Sequence, residues 1–217
     1  MKAKKILYIL LMLLPLAVTL LALPILPDQI PAHYDFNNQV TRWGSKYEML
    51  VMPALTIVVG IFMLWMAKVT RKQEGEGENN YKICVFAGML GMGVFTAMTV
   101  YFLYAAFIRV ENLNTLPLNL DSLLWTLLGL MLILLGNVMP KAKKNSLLGL
   151  RTKWSMSSDE AWKKSQRFGG IAAIVSGAAM LLVSFLTKGM TCTLICLCIL
   201  TAMVILDTVY SYEAAKV

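Results

Sequence analysis

ICVFAGMLGMGVFTAMTVYFLYAAFI, residues 83–108, runs for 26 residues without an aspartate, glutamate, lysine, arginine or histidine. Wound as a helix at 1.5 Å per residue it reaches about 39 Å, more than the roughly 30 Å of a bilayer's hydrocarbon core. Working outward, residues 6–25, 49–67, 122–139, 168–187 and 189–206 form five further stretches without any of those five residue types. Hydrophobic residues make up 58% of the 217-residue chain and charged ones only 15%, with a mean hydropathy of +0.67. Such a chain needs lipid as its solvent. Unpaired backbone groups are costly in hydrocarbon, and the alternation expected of a membrane barrel is weak, so the stretches are expected to be helices. The fold class that follows is an all-α integral membrane protein, a bundle of six transmembrane helices.

Orientation comes from the connecting segments. With the amino terminus inside, the inner segments carry three lysines before the first span, four basic residues around the second connection, eight between residues 140 and 167, and Lys216, which is 16 of the 20 basic side chains. The outer segments keep only Arg42, Lys46, Arg109 and Lys188. This bias places both termini in the cytoplasm. The net charge of +8 therefore reports topology, and a nucleic-acid partner is not needed to explain it. Lys2, Lys4 and Lys5 before an apolar run look like a signal sequence, but the run is long and lacks a small-x-small cleavage site, so the first helix is expected to stay as an anchor.

Within the spans, the cysteines (Cys84, Cys192, Cys196, Cys198) have no histidine or carboxylate beside them in the spans to complete a metal site, and packing is the expected role. No cofactor is expected. Small residues recur as Gly169, Ala173, Gly177 in the fifth span and as Ala87, Gly91 with Gly93, Ala97 in the third. Such stripes let helices approach closely within a bundle, with a homodimer face as the alternative. Pro15 and Pro53 are expected to kink the first two helices or relax their ends. Residues 68–82, with Glu74, Gly75, Glu76, Gly77 and Glu78, have the composition of a flexible linker. The chain then divides into residues 1–80, a two-helix region with outer loop 26–48, and residues 81–217, a four-helix region with inner loop 140–167.

The two loops hold the residues that do more than span. In the outer loop Pro27 and Pro31 enforce extended backbone, residues 35–38 favour a turn, and Tyr34, Trp43 and Tyr47 suit an interfacial belt. His33 is the sole histidine. With Asp35 two residues away it lacks the convergent ligands of a metal or catalytic centre, so hydrogen bonding within the loop is its expected role. In the inner loop, PKAKKNSLLGLRTKWSMSSDEAWKKSQR, Ser157 and Glu160 have capping-box spacing and should start a helix. Trp162 and Phe168 would face lipid there while Lys163, Lys164 and Arg167 face water, giving an interfacial amphipathic helix drawn to anionic lipid.

These loops also carry a resemblance. The ordered run Gly136, Asn137, Pro140, Lys141, Lys143, Asn145, Gly149, Arg151, Thr152, Trp154, Ser155, Trp162, Arg167 and Gly170 resembles the SdpI family of bacterial membrane proteins, whose type member gives immunity to a secreted killing factor. Pro27, Ile30, Pro31, His33, Tyr34, Asp35, Trp43, Gly44, Ser45 and Lys46 are similar to an amino-terminal domain of unknown function often joined to it. Three positions depart from the pattern: Lys153 stands where proline is common, Ser165-Gln166 where Thr-His is common, and Asn37-Asn38 where the outer motif usually has a glycine.

The resemblance implies two roles. One is protection against a membrane-active peptide or protein toxin, met by an outer surface containing Pro31, His33, Asp35, Trp43 and Gly44. The other is retention of a cytoplasmic transcriptional repressor by an inner surface containing Asn137, Pro140, Lys141, Lys143, Asn145, Gly149, Arg151, Trp154, Trp162 and Arg167. A receptor or accessory role, or a transporter of unknown substrate, is the alternative. A transporter normally needs ionisable or broken-helix sites at membrane depth, and an enzyme a nucleophile with its base; six charge-free spans argue against the first, and a lone histidine outside them against the second.

Overall fold

A computed structural model describes residues 2–72, 77–145 and 147–216. Among these, six α-helices are long and apolar enough to cross a membrane: α1 (Lys2–Ala22), α2 (Val51–Lys72), α3 (Gly77–Phe107), α4 (Leu120–Val138), α5 (Asp159–Leu186) and α6 (Gly189–Ala214). The chain is thus a multi-pass membrane protein of the expected class. One hairpin joins the helices: β1 (Gln29–Tyr34) pairs antiparallel with β2 (Val40–Ser45) in the segment where prolines and a turn were expected.

The helices overrun the uncharged stretches. Residues 68–72 close α2 and 77–82 open α3, so most of the expected linker is helical. The ion pair of Arg71 with Glu78, 3.1 Å, spans the junction. Gln73, Glu74, Gly75 and Glu76 lie outside the described residues. Pro15 sits inside an unbroken α1, whereas Pro53 occupies the first turn of α2, where its missing N–H costs nothing.

At the inner end, the expected cap shifts by one residue. Ser158, not Ser157, caps α5 by accepting from the Ala161 amide at 3.0 Å, while Ser157 donates to the Trp154 carbonyl. Glu160 consequently leaves the capping box and pairs with Lys164 one turn on, at 2.7 Å. The amphipathic segment is the first part of one continuous helix through Leu186. Trp162 does not face lipid: it is 2% exposed.

Glycine sets the close contact of α4 with α5. A Cβ at Gly136 would lie 2.5 Å from the Gly170 carbonyl oxygen, and one at Gly177 would lie 2.5 Å from that of Gly129. Two glycines seven residues apart on α4 thus face two with the same spacing on α5, and the backbones touch. The stripe on α3 behaves otherwise, for a Cβ at Gly91 or Gly93 would meet nothing within 4 Å. There the close approach belongs to Gly88, against Tyr8 and Met63. Cys192 and Cys196 are buried with Trp125 and Met180 in an apolar cluster of α4, α5 and α6, the packing role expected of them.

Candidate functional site

The hairpin, the α3–α4 connection and the starts of α4 and α6 meet at one end of the bundle and form a cap. Ile30 is buried with Leu26, Leu103 and Ala106, which seats β1 on α3. Behind it, Tyr101, Ala105, Val110, Leu113 and Leu116 form a second buried cluster that Tyr34 packs against. The Tyr34 hydroxyl donates to the Val110 carbonyl at 2.9 Å. Burial pushes this phenol up to about 12, so it remains a donor throughout the physiological range.

Asn38 is the hub of the cap. Its backbone has φ +63°, a left-handed conformation that asparagine tolerates better than other non-glycine residues. Its carbonyl accepts from Leu113 N at 2.9 Å, and its amide donates to Asn114 Oδ1 at 3.1 Å and to Asp121 Oδ2 at 2.8 Å. The other oxygen of Asp121 accepts from Thr193 on α6 at 2.8 Å, and Trp125 Nε1 donates to the same threonine at 3.0 Å. Hairpin, α4 and α6 are joined through one carboxylate.

Of the expected outer residues, Pro31, His33 and Asp35 line a cavity of about 500 Å³ between β1, α2, α3 and the start of α4. His33 Nδ1 lies 2.5 Å from Thr41 Oγ1, a bond within the hairpin as expected. Trp43 lies elsewhere, beneath the Arg109 guanidinium at 5.0 Å from its ring centroid. Gly44 is buried, and a Cβ there would strike Glu48 and come within 2.7 Å of Ala32 Cβ. Residues not singled out from the sequence complete the cavity, among them Arg42, Glu48, Met49, Met52 and Phe102. They come from four elements, so no local spacing signals them.

The inner loop is held by side chains that read its backbone. Gln166 accepts from the Leu150 amide and donates to the Leu150 carbonyl, both at 2.9 Å, with Gly149 at φ +91° directly against it. Asn80 on α3 accepts from the Lys143 amide at 2.9 Å and donates to its carbonyl at 3.2 Å, and the neighbouring Asn79 donates to the Lys141 carbonyl. Trp162 Nε1 donates to the Ala142 carbonyl at 2.8 Å, and Asn145 Oδ1 accepts from Leu147 and Leu148. Asn145 and Trp162 are therefore buried scaffold. Trp154 is half-buried edge-on to Tyr212, while Asn137, Pro140, Lys141, Lys143, Gly149, Arg151 and Arg167 are exposed. Lys144 reaches Asp159 at 3.8 Å. Gln166 and Asn80, missed from the sequence, do most of the fixing.

Helix α6 continues past residue 206 and carries Asp207, which is 7% exposed. Its Oδ1 and the Ser165 hydroxyl on α5 are buried without a hydrogen-bond partner, and Gly169 on α5 faces that oxygen. The helices are not free of buried carboxylate.

Residues 141–211 match the SdpI/YfhL protein family. Residues 10–57 match a domain of unknown function, DUF1648. The SdpI-like segment thus begins in the inner loop and runs into the last turn of α6, and the second segment spans the latter part of α1, the hairpin and the start of α2. Over 214 residues, 98% of this chain and 96% of the relative, the chain is 24% identical to the Immunity protein SdpI of Bacillus subtilis (strain 168). No solved structure matches it significantly.

Proposed function

We propose that this chain is a membrane immunity protein that protects the cell against a secreted toxin, with the hairpin cap facing outward and the basic inner loop facing the cytoplasm. The observation that carries the reading is similarity to an immunity protein across 98% of the chain, including both solvent-facing surfaces as well as the spans. The charge bias supports the orientation: 16 of the 20 basic residues fall on the side of the inner loop.

In this reading the cap meets the toxin through Pro31, His33 and Asp35 at the cavity, with Trp43 and Gly44 shaping the hairpin behind them. The exposed basic residues of the inner loop hold a cytoplasmic repressor. Coupling the two requires that toxin bind one conformation better than another, and Asp121, which bonds hairpin and α6 together, is where such a difference would pass. The activity is binding rather than catalysis.

The test is complementation. Expressed in a Bacillus subtilis strain from which its own SdpI has been deleted, the chain should restore survival alongside cells secreting the killing factor. Unchanged killing, at normal membrane level of the protein, would overturn the reading for that factor.

A further inference from the structure

The hairpin has two edges, and they are treated differently. On the β2 side, Val40 donates to the Glu111 carbonyl at 2.8 Å and Gln39 bridges to Asn112, so the α3–α4 connection covers the turn end of that edge. The sheet has two strands, and among the described residues β1 makes no backbone hydrogen bond beyond the sheet. The chain at 31–35 instead forms one wall of the 500 Å³ cavity. Pro31 has no N–H to offer and the register shifts on either side of His33, so the backbone donors and acceptors presented to an entering chain are those of the remaining edge residues.

The floor and rim of the cavity narrow the choice of occupant. Met49, Met52 and Phe102 give it an apolar, adaptable floor. At the rim, Arg42 is tied to Glu48 by two bonds of 3.0 and 2.7 Å, so these charges cancel. Asp35 Oδ1 accepts from the Asn37 and Gln39 amides, each at 2.9 Å, while among the described residues its Oδ2 accepts no bond. Among the described residues, Asp35 is the lining carboxylate without an ion pair.

We propose that the cavity binds an extended polypeptide segment, added as a strand to the free edge of β1, with an apolar side chain on the floor and a basic side chain near Asp35. A lipid chain could fill the floor but has no use for the backbone edge. Strand addition uses both and draws specificity from the alternate side chains. The proposal rests on the reading of the cap as the surface that meets a secreted factor, and adds the chemistry of the segment it takes.

The experiment uses the full chain in phosphatidylcholine nanodiscs, carrying Cys198→Ser to remove the exposed native thiol and Met52→Cys on the cavity floor. Maleimide labelling of the new thiol is timed with acetyl-Val-Leu-Lys-Val-Leu-amide, its Lys→Glu counterpart, its backbone N-methylated form, or a lysophospholipid. The basic peptide should slow labelling about tenfold or more, while the acidic and N-methylated peptides and the lysolipid leave it within about twofold. Asp35→Asn should remove the preference for lysine. Should Met52→Cys not fold, Ala32→Cys on the cavity wall serves in its place. No slowing by the basic peptide, or equal slowing by the N-methylated peptide or the lysolipid, overturns the proposal. Peptide binding without protection of cells would sink the immunity reading alone, and protection without peptide binding would sink the cavity proposal alone.

Discussion

The two ends of the bundle solve the problem of irregular backbone in opposite ways. At the inner loop, side chains from α3 and α5 are spent on backbone: Gln166 satisfies both groups of Leu150, Asn80 both groups of Lys143, and Trp162 the carbonyl of Ala142. What is left facing outward is cationic. At the outer cap, asparagine and aspartate side chains tie one polar segment to another, and the β1 edge beside a cavity makes no backbone hydrogen bond beyond the hairpin among the described residues. A rigid loop that displays charge is suited to a folded partner's surface or to headgroups, whereas an open edge is suited to a segment that becomes ordered on binding. The difference predicts that damage to the inner loop will be chiefly structural and damage to the outer cap chiefly functional.

The sharpest way to break this contrast is Trp162→Ala. The side chain is fully buried and donates to Ala142, so its loss should cost about 3–5 kcal/mol and should free the loop around residues 142–150 to proteolysis. Thermal denaturation in detergent, with limited trypsin cleavage at the exposed lysines, measures both. A variant that melts like the parent would mean that the loop is not held by this indole.

Next in size is Asn38, where two substitutions separate conformation from hydrogen bonding. Asn38→Gly keeps the left-handed backbone and loses the bonds to Asn114 and Asp121, at about 1 kcal/mol each. Asn38→Ala loses the bonds and adds about 1–2 kcal/mol of backbone strain. Stability should fall in the order parent, glycine, alanine. Protection should fall with the glycine variant as far as with alanine if the link to Asp121 matters to function; protection that tracks stability would make the cap a structural element like the inner loop.

How far these features could be read in advance depends on what creates them. Helices and class were legible because a bilayer imposes length and apolarity locally, so residues 83–108 declare themselves. The loops were visible as polar, Pro-rich or basic interruptions, and the family pattern marked both. Trp162 was misplaced because amphipathic spacing shows which residues share a helix face but not what covers that face. Here the Ala142 carbonyl does, brought over by the preceding turn. The cap of α5 moved by one residue because Ser157 and Ser158 are both competent, and the loop geometry chooses. The cavity was invisible because its walls lie between residues 31 and 120 and meet only through tertiary packing. Asp207 was missed for a different reason: the apolar stretch ends at the first carboxylate, whereas the helix does not.

Asp207 tests whether the inner end tolerates any unpaired polar group. Its Oδ1 and the Ser165 hydroxyl are buried without partners, and a carboxyl without a partner is an expensive occupant of a helix interface. Asp207→Asn removes the capacity for charge while keeping the shape, and should leave melting unchanged or raise it by a few degrees. A fall in melting temperature would show that the carboxyl is held by an interaction worth keeping. Loss of protection without loss of stability would make Asp207 functional and reopen the transporter alternative.

The smallest expected effect on stability comes from neutralising the inner surface, and for that reason it discriminates best between the two ends. Lys141, Lys143 and Arg151 are exposed and Lys144 is paired only at 3.8 Å with the exposed Asp159, while the backbone of the same stretch is fixed independently by Asn79, Asn80, Gln166 and Trp162. Changing the four cations to glutamine should therefore leave melting within the range of ordinary surface substitutions. Their fields decay over about 8 Å at physiological salt, too short to reach the cavity at the far end of helices about 40 Å long, so protection should also survive. What should be lost is recruitment of an acidic cytoplasmic partner, read by the membrane localisation of that protein. Each cation near an anionic leaflet also contributes about 1 kcal/mol of attraction, so membrane level and topology are checked first. If survival and recruitment fell together at normal membrane level, the inner loop would be serving protection itself, and the division of labour between the two ends would be wrong.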